Sequence, residues 1–174
     1  MKPEDLSRRS FLKRTLALTA ATAIPSFWIP AKGMTPRVSA NDKVNIAFIG
    51  IGQRGGEIAK ELYNTGLCNV VALCDVDMGA PHTQEIMNMF PKAERFQDFR
   101  TMFDRIANKI DAVTVGVPDH SHFPITIEAM AHGKHVYVEK PMARTFEEIE
   151  IMMRAAKRYG VVTQMGNQGH SEAN

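Results

Sequence analysis

A glycine-rich turn between an apolar run and a helical segment constrains this chain more than any other feature. Val44–Ile49 is a short apolar run ending at Gly50, which is typical of a buried β-strand. Residues 50–55 then read G-I-G-Q-R-G and open a helical pattern. Asp75 ends the next apolar run, 20 residues after the last glycine of the turn. This order of strand, turn, helix, strand and acidic residue predicts a dinucleotide-binding unit.

The turn contributes six candidate binding residues, and its three glycines have separate roles. The first permits a tight turn, the second lets the backbone approach a diphosphate, and the third lets the helix pack near the strand. The helix N-terminus adds free N–H groups and a partial positive charge. The candidate residues are Gly50, Ile51, Gly52, Gln53, Arg54 and Gly55.

Asp75 indicates which nucleotide the turn holds. A carboxylate after the second strand can accept hydrogen bonds from the hydroxyls of an adenosine ribose, and it repels a 2′-phosphate. The sequence therefore favours NAD over NADP. Arg54 lies inside the turn, and its guanidinium could meet the diphosphate, meet a 2′-phosphate or remain in solvent, so NADP stays possible. Methyltransferases also combine a glycine-rich turn with an acidic residue after the second strand, and they form a third-ranked alternative.

Apolar runs and helical patterns alternate along the rest of the chain. The runs are continuously apolar, which indicates strands covered on both faces and hence a parallel sheet. Six strands separated by helices predict an α/β fold with a doubly wound parallel sheet in the order 3-2-1-4-5-6. The predicted strands are 44–49, 70–74, 95–96, 112–117, 135–139 and 161–165, and the predicted helices are 55–65, 81–90, 99–107, 122–132 and 145–159.

Three polar clusters stand at the ends of the last three predicted strands. P-D-H-S-H begins at Pro118 after the fourth strand, E-K-P begins at Glu139 at the end of the fifth, and G-N-Q-G-H begins at Gly166 after the sixth. The carboxyl ends of parallel strands meet at one edge of a sheet, where such folds bind ligands. The three clusters therefore predict one shared site.

Together with the glycine turn and the D-F-R of residues 98–100, these motifs resemble, in this order, the Gfo/Idh/MocA family of oxidoreductases. The resemblance covers about residues 43–170, and E-K-P is its most specific element. It implies an N-terminal NAD(P)-binding Rossmann domain and a second α/β domain that carries much of the sugar site and mediates homo-oligomerisation. It also implies hydride transfer between nicotinamide and a hydroxyl of a sugar or cyclitol.

The resemblance assigns roles to individual residues of the clusters. Lys140 is implied to be catalytic, beside the nicotinamide and the substrate hydroxyl, where its ammonium stabilises oxyanion charge or relays a proton. Glu139 and Pro141 are implied to fix that turn, with Pro141 in cis. The other implied cofactor contacts are Pro118, Asp119, His122, Asn167 and Gln168. Related NAD-dependent glycosidases usually lack the E-K-P lysine, so its presence favours net oxidation or reduction over glycosidic cleavage.

Residues 1–40 are interpreted as an export signal and linker rather than as part of the fold. Arg8 and Arg9 precede a weakly apolar run rich in Ala and Thr, which resembles a twin-arginine signal. We therefore expect export to the periplasm by the twin-arginine machinery and a nucleotide-binding domain over residues 41–170. Twin-arginine export moves folded proteins, which suits a protein that must first bind a cytoplasmic cofactor.

Charge and cysteine content argue against several other classes of protein. Residues 1–40 hold a net charge of +5 and the whole chain +2, so the remainder sums to −3. A mildly acidic domain lacks the clustered basic face that nucleic acid requires. Two cysteines cannot build a disulfide framework. His120 and His122 lack a third ligand at convincing spacing, so no metal is expected.

Length sets the remaining expectation. The chain has 174 residues, and residues 171–174 would begin the second domain that the resemblance implies. We expect this chain alone to bind a dinucleotide but to turn over no sugar. The alternative is a non-catalytic dinucleotide-binding module, truncated or repurposed.

Overall fold

A computed structural model describes residues 42–167, and within them strands and helices alternate as predicted. The strands are β1 Val44–Ile49, β2 Cys68–Cys74, β3 Glu94–Phe96, β4 Ala112–Val115, β5 His135–Val138 and β6 Thr163–Met165. The helices are α1 Gln53–Asn64, α2 Pro81–Met89, α3 Phe99–Ile106, α4 His122–Ala131 and α5 Phe146–Tyr159, with short 3₁₀ turns at Ala107–Lys109 and Asp119–Ser121. The predicted signal over residues 1–40, Gln168 and residues 171–174 lie outside the described residues.

All six strands form one parallel sheet in the order β3-β2-β1-β4-β5-β6. This confirms the predicted doubly wound arrangement. The strand order reverses beside β1, whose Ile49 pairs with Cys74 of β2 on one side and Val115 of β4 on the other. Loops leave β1 in one direction and β4 in the other, so a crevice opens between them at the carboxyl edge.

Two apolar cores cover the sheet, one on each face. The larger core packs β1, β2, β4 and β5 against α3, α4 and α5, and includes Met102, Phe103 and Met130, each at most 1% exposed. The smaller core packs β1 and β2 against α1 and α2, and includes Phe48 and Leu73, both 0% exposed. Each such side chain contributes about 1.5–3 kcal/mol by its burial.

Local sequence signals place the helix ends. Thr145 caps α5 by accepting a hydrogen bond from the N–H of Glu148 at 3.2 Å, and Gly160 ends the helix in the left-handed region at φ 65°. The side chain of Asp98 likewise caps α3, and Pro81 occupies the first turn of α2. Thr and Asp are favoured at helix N-caps, Gly after the last turn and Pro in the first turn. None of the helices in residues 42–167 combines the length and apolar character of a bilayer span.

Three strands are shorter than the sequence predicts: β5 ends one residue early at Val138, and β4 and β6 are shorter for identifiable reasons. β4 ends at Val115 because the backbone next approaches α1: a Cβ on Gly116 would lie 2.8 Å from the Cα of Gly55. β6 begins at Thr163, since the N–H of Val162 donates to Nδ1 of His135 at 2.9 Å instead of joining the ladder. The end of β4 and the start of β6 are both set by tertiary contacts, which an apolar run in the sequence does not reveal.

Candidate active site

A crevice with a volume of about 710 Å³ lies at the carboxyl edge of the sheet, between the loops that leave β1, β2 and β4. Its volume is within the range usual for small-molecule and cofactor sites. The predicted site residues that line it are Gly50, Gly52, Gln53, Arg54, Asp75 and Pro118. The structure therefore brings the glycine turn, the acidic residue after β2 and the turn after β4 to one concave surface.

The three glycines of the turn are packed so closely that none of these positions has room for a side chain. Gly50 has φ 82°, and a Cβ there would lie 2.5 Å from the carbonyl oxygen of Gly116. A Cβ on Gly55 would collide with the carbonyl oxygen of Gly50. A Cβ on Gly52 would lie 2.5 Å from Cδ2 of His82, at the wall of the crevice. The turn thus presents bare backbone to the crevice, as a diphosphate requires.

The N-terminus of α1 points its unsatisfied backbone groups into this turn. Gly52 is the N-cap and supplies no side-chain hydrogen bond, and the first turn carries no acidic side chain. Gln53, the first helical residue, has φ 31°, a conformation that costs a non-glycine residue about 1–3 kcal/mol. The free N–H groups and the helix dipole together favour an anion here.

Asp75 connects the end of β2 to the glycine turn. Its Oδ2 accepts a hydrogen bond from the N–H of Ile51 at 2.9 Å, and its Oδ1 accepts from the N–H of Asp77 at 3.0 Å. A carboxylate has about four acceptor positions, so two remain for other donors. Asp75 can therefore hold the turn in place and still accept hydrogen bonds from two ribose hydroxyls.

Arg54 does not extend freely into solvent. Its Nε donates to Oε1 of Glu139 at 3.1 Å, and its Nη1 lies 3.0 Å from Oε2 of Glu57. The Glu139 side chain is only 6% exposed, whereas that of Arg54 is 31% exposed. Partial burial lowers the pKa of Arg54, but the hydrogen bonds to the two carboxylates outweigh burial and hold its pKa above the ordinary value. The pair links the glycine turn to E-K-P.

The E-K-P turn stands beside the crevice. Lys140 is exposed, and its N–H lies 3.3 Å from Oε2 of Glu139. The peptide bond between Lys140 and Pro141 is cis, as the resemblance implied. Tyr137 donates to Oε1 of Glu139 at 3.4 Å, and burial together with Glu139 raises the pKa of its phenol. Glu139 thus holds the backbone of the turn while the Lys140 ammonium stays accessible.

The remaining predicted contacts are divided between surface and interior. Asp119 is exposed on the 3₁₀ turn after Pro118, and Asn167 is exposed after β6. Ile51 is 0% exposed and points into the smaller core, so only its backbone faces the turn. His122 is 1% exposed and does not line the crevice itself, although it contacts the carbonyl oxygen of Val117, which does.

Several residues of the site were not singled out from the sequence, among them Gly116, His82 and Tyr137. Gly116 lies against both outer glycines of the turn, and the apolar run that contains it hides this role. His82 lines the crevice from the first turn of α2, where no motif marks it. Tyr137 contacts Glu139 from two positions earlier on β5, and this period-2 spacing is a signal that could have identified it.

The crevice fits an NAD molecule by its own geometry. Bare glycine backbone and the α1 N-terminus suit the diphosphate, and Asp75 suits the adenosine ribose. The site holds no comparable arrangement for a metal: across residues 42–167, no group of three or more His, Cys, Asp or Glu side chains could hold one. Both cysteines are free and buried.

Comparison with protein families gives a match over most of the described chain. The model of the Gfo/Idh/MocA oxidoreductase family, characterised by an NAD-binding Rossmann fold, matches residues 44–167. A glycosyl hydrolase family 109 protein from Shewanella pealeana is 31% identical over 169 residues, which cover 91% of this chain and 36% of that protein.

Solved structures show the same similarity. Myo-inositol 2-dehydrogenase from Lactobacillus plantarum superposes with a TM-score of 0.66 at 26% identity, over 75% of this chain and 38% of that one. The WlbA dehydrogenase from Bordetella pertussis, solved with NADH and UDP-GlcNAcA, gives a TM-score of 0.62 at 25% identity, over 71% and 37% of the two chains. The present chain thus spans little more than a third of the length of these relatives.

Proposed function

Because the chain belongs to the Gfo/Idh/MocA family of NAD-binding oxidoreductases, we propose that the whole protein transfers hydride between NAD and a hydroxyl-bearing carbon of a sugar or cyclitol. The observation that carries this proposal is the Arg54–Glu139 ion pair at 3.1 Å. It joins the turn suited to the diphosphate with the turn that bears Lys140. Nucleotide binding and proton handling therefore belong to one site.

The residues of this chain bind and orient, and NAD supplies the hydride chemistry at its nicotinamide when bound. The glycine turn and the α1 N-terminus hold the diphosphate, and Asp75 holds the ribose. Lys140 is exposed on the turn that the Arg54–Glu139 pair connects to the crevice. Its ammonium stabilises developing negative charge on a substrate oxygen or passes a proton to or from it. Pro118 and Asn167 border the same end of the sheet.

The substrate class is supported by the proteins that this chain resembles. One solved relative is named for myo-inositol and another contains a nucleotide sugar. Both ligands are polyhydroxylated rings, so a carbinol carbon is the shared reacting group. We propose the same class here, with substrate-binding residues beyond those that the structure describes.

Titration calorimetry of the 174-residue chain tests the nucleotide. We expect binding of NAD, weaker binding of NADP because Asp75 repels its 2′-phosphate, and none of S-adenosylmethionine. Binding of S-adenosylmethionine in preference to NAD would replace this proposal with a methyltransferase. Incubation of the chain with NAD and a panel of sugars should produce no NADH fluorescence. NADH formation would contradict our expectation that this chain alone binds a dinucleotide without turnover.

A second candidate is NAD-dependent glycoside hydrolysis, since relatives about 30% identical carry that family's name. Lys140 argues against it, because the related glycosidases usually lack this lysine. Release of a chromophore from aryl glycosides by the whole protein, with no net NADH, would favour hydrolysis. Accumulation of NADH with a free sugar would favour the dehydrogenase. Lys140→Met should abolish this accumulation of NADH.

We also propose export through the twin-arginine machinery, on the strength of Arg8 and Arg9. The test compares periplasmic and cytoplasmic fractions of cells that express the chain. Changing both residues to lysine should retain the protein in the cytoplasm, because the receptor reads paired guanidiniums. Arg14→Lys is the matched control and should be exported normally. Export of the double-lysine variant would contradict the proposal.

A further inference from the structure

His122 has more hydrogen-bonding contacts than its position on a helix requires. It is the first residue of α4 and is 1% exposed. Its Nδ1 lies 2.6 Å from the carbonyl oxygen of Pro141, and its Nε2 lies 2.8 Å from the carbonyl oxygen of Val117. Each ring nitrogen thus lies within hydrogen-bond distance of a backbone carbonyl oxygen.

The two carbonyls belong to the two turns that border one end of the crevice. Val117 immediately precedes Pro118, which lines the crevice, and Pro141 immediately follows Lys140. The ladder between β4 and β5 extends to the bond from the N–H of Glu139 to the carbonyl oxygen of Val115, at 3.0 Å. Beyond that bond the imidazole continues the connection, so it sets the spacing between the two turns.

We propose that His122 is a positioning residue for the nicotinamide half of the dinucleotide, acting by holding the Pro118 turn and the Lys140 turn at a fixed separation. This inference rests on the proposed function. The adenosine half is held by other parts of the chain, the glycine turn and Asp75, which His122 does not contact. Loss of the bridge should therefore weaken binding of the nicotinamide end and spare the adenosine end.

The ratio of affinities for NAD and ADP-ribose isolates this effect, because ADP-ribose keeps the diphosphate and both riboses but lacks nicotinamide. His122→Phe keeps a ring of similar size and removes both ring nitrogens. We expect it to lower the affinity for NAD about tenfold, the equivalent of one to two hydrogen bonds. Its affinity for ADP-ribose should stay within about twofold of that of the original chain.

Two further variants separate donation from packing. His122→Gln restores an N–H donor and should recover part of the lost affinity for NAD, which a role in filling space does not predict. His132→Phe is the matched control: His132 follows the same helix and stacks on Phe103 at 5.0 Å, so this variant should keep the original affinity ratio. An unchanged ratio in His122→Phe, or an equal loss for both ligands, would overturn the proposal.

The original chain provides a measurement that does not depend on a variant folding. In ¹⁵N-resolved NMR, NAD should shift the ring resonances of His122 and ADP-ribose should not. The reason is that only the nicotinamide end of the dinucleotide contacts the Pro118 turn and the Lys140 turn. Equal shifts with both ligands, or none with NAD, would overturn the role of His122. Failure of both ligands to bind the original chain would instead overturn the dinucleotide site itself.

Discussion

At the residue scale, Asp75 lines the crevice and holds two backbone N–H groups with the same carboxylate. Asp75 accepts from the N–H of Ile51 through one oxygen and from the N–H of Asp77 through the other. The sequence predicted its role toward ribose from its place after β2. Its role in fixing the glycine turn depends on where its side chain lies in the folded protein, and the sequence alone does not predict this position.

Asp75→Ala should weaken NAD binding about tenfold to a hundredfold, because a charged acceptor of ribose hydrogen bonds is lost. The preference for NAD over NADP should shrink as well, since the repulsion of a 2′-phosphate disappears. Calorimetric titration with both nucleotides measures the two effects.

Asp111→Ala is the matched control. Asp111 accepts a hydrogen bond from the N–H of Asn45 at 2.8 Å, at the opposite edge of the sheet, and its loss should leave the affinity for NAD unchanged. An Asp75→Ala variant with NAD affinity equal to that of the original chain would refute the ribose assignment.

Arg54 shows where residue-level prediction ends. From the sequence, its guanidinium could meet a diphosphate, a 2′-phosphate or solvent. Its partner Glu139 lies 85 residues away along the chain, and only the packing of α1 beside the end of β5 brings the two together. The motifs identified both residues as part of the site, but no spacing rule pairs them.

A double-mutant cycle on this pair should show an asymmetric loss of stability. Arg54→Gln leaves a buried carboxylate without its cation and should lower the unfolding free energy by about 2 kcal/mol. Glu139→Gln leaves a half-exposed guanidinium that water can solvate, so its cost should be smaller. The double variant should lose less than the sum of the two.

Urea denaturation measures these losses. Arg144→Gln, which breaks the exposed Arg144–Glu148 pair at 3.4 Å, should cost no more than about 0.5 kcal/mol. If Arg54 is instead a phosphate ligand, its glutamine variant will keep its stability and lose affinity for ADP.

At the scale of elements, apolar runs predicted β1, β2, β4 and β5, and the alternation of strands with helices predicted the order of the sheet. β3 reads E-R-F and has no apolar run. Each run is continuous because helices cover both faces of most of the sheet, and a parallel sheet leaves few alternative orders. Element ends were less accurate, as at β4, where contact with α1 stops the strand. That contact involves Gly50, Gly55 and Gly116, of which the glycine motif contains only the first two.

Gly55→Ala should separate α1 from β1. Its added Cβ would meet the carbonyl oxygen of Gly50, which is backbone and cannot turn aside, so the unfolding free energy should fall by about 1–3 kcal/mol. Thermal unfolding with and without NAD checks this, and the gain in melting temperature on adding NAD should also shrink. Gly79→Ala is the control, because a Cβ there meets nothing within 4 Å. An unaffected Gly55→Ala variant would contradict the close packing of the turn.

At the scale of the whole molecule, the two buried cysteine thiols make the free energy of unfolding depend on pH. Burial, with smaller contributions from Asp75 and Asp98, raises the pKa of Cys74 from 9.0 to about 12. Burial also raises the pKa of Cys68. In the unfolded chain these thiols lose their protons at lower pH than in the fold. The stabilising effect of burying them neutral is therefore complete below pH 9 and declines as pH rises toward 12.

Urea denaturation between pH 8 and pH 11 should show this decline. The unfolding free energy should fall by at most about 1.4 kcal/mol per pH unit for each thiol. Cys74→Ala should make the profile flatter, and Cys68→Ala should do so less, because Cys68 is less completely buried. A Cys74→Ala profile as steep as the original would show that the thiol stays neutral in both states or ionises equally in both.

The two apolar cores do not extend equally across the sheet. The smaller core draws on β1, β2 and Ala112 of β4, whereas β5 contributes buried side chains to the larger core alone. Within residues 42–167, β6 pairs with β5 alone, and its Thr163 and Gln164 are exposed. Hydrogen exchange should therefore be graded across the fold, with amides of β6 exchanging soonest and those of β1 last. Local opening that begins at β6 would loosen the Lys140 turn well before it reached the glycine turn. A bound dinucleotide would then dissociate in two stages, its nicotinamide end first and its adenosine end last.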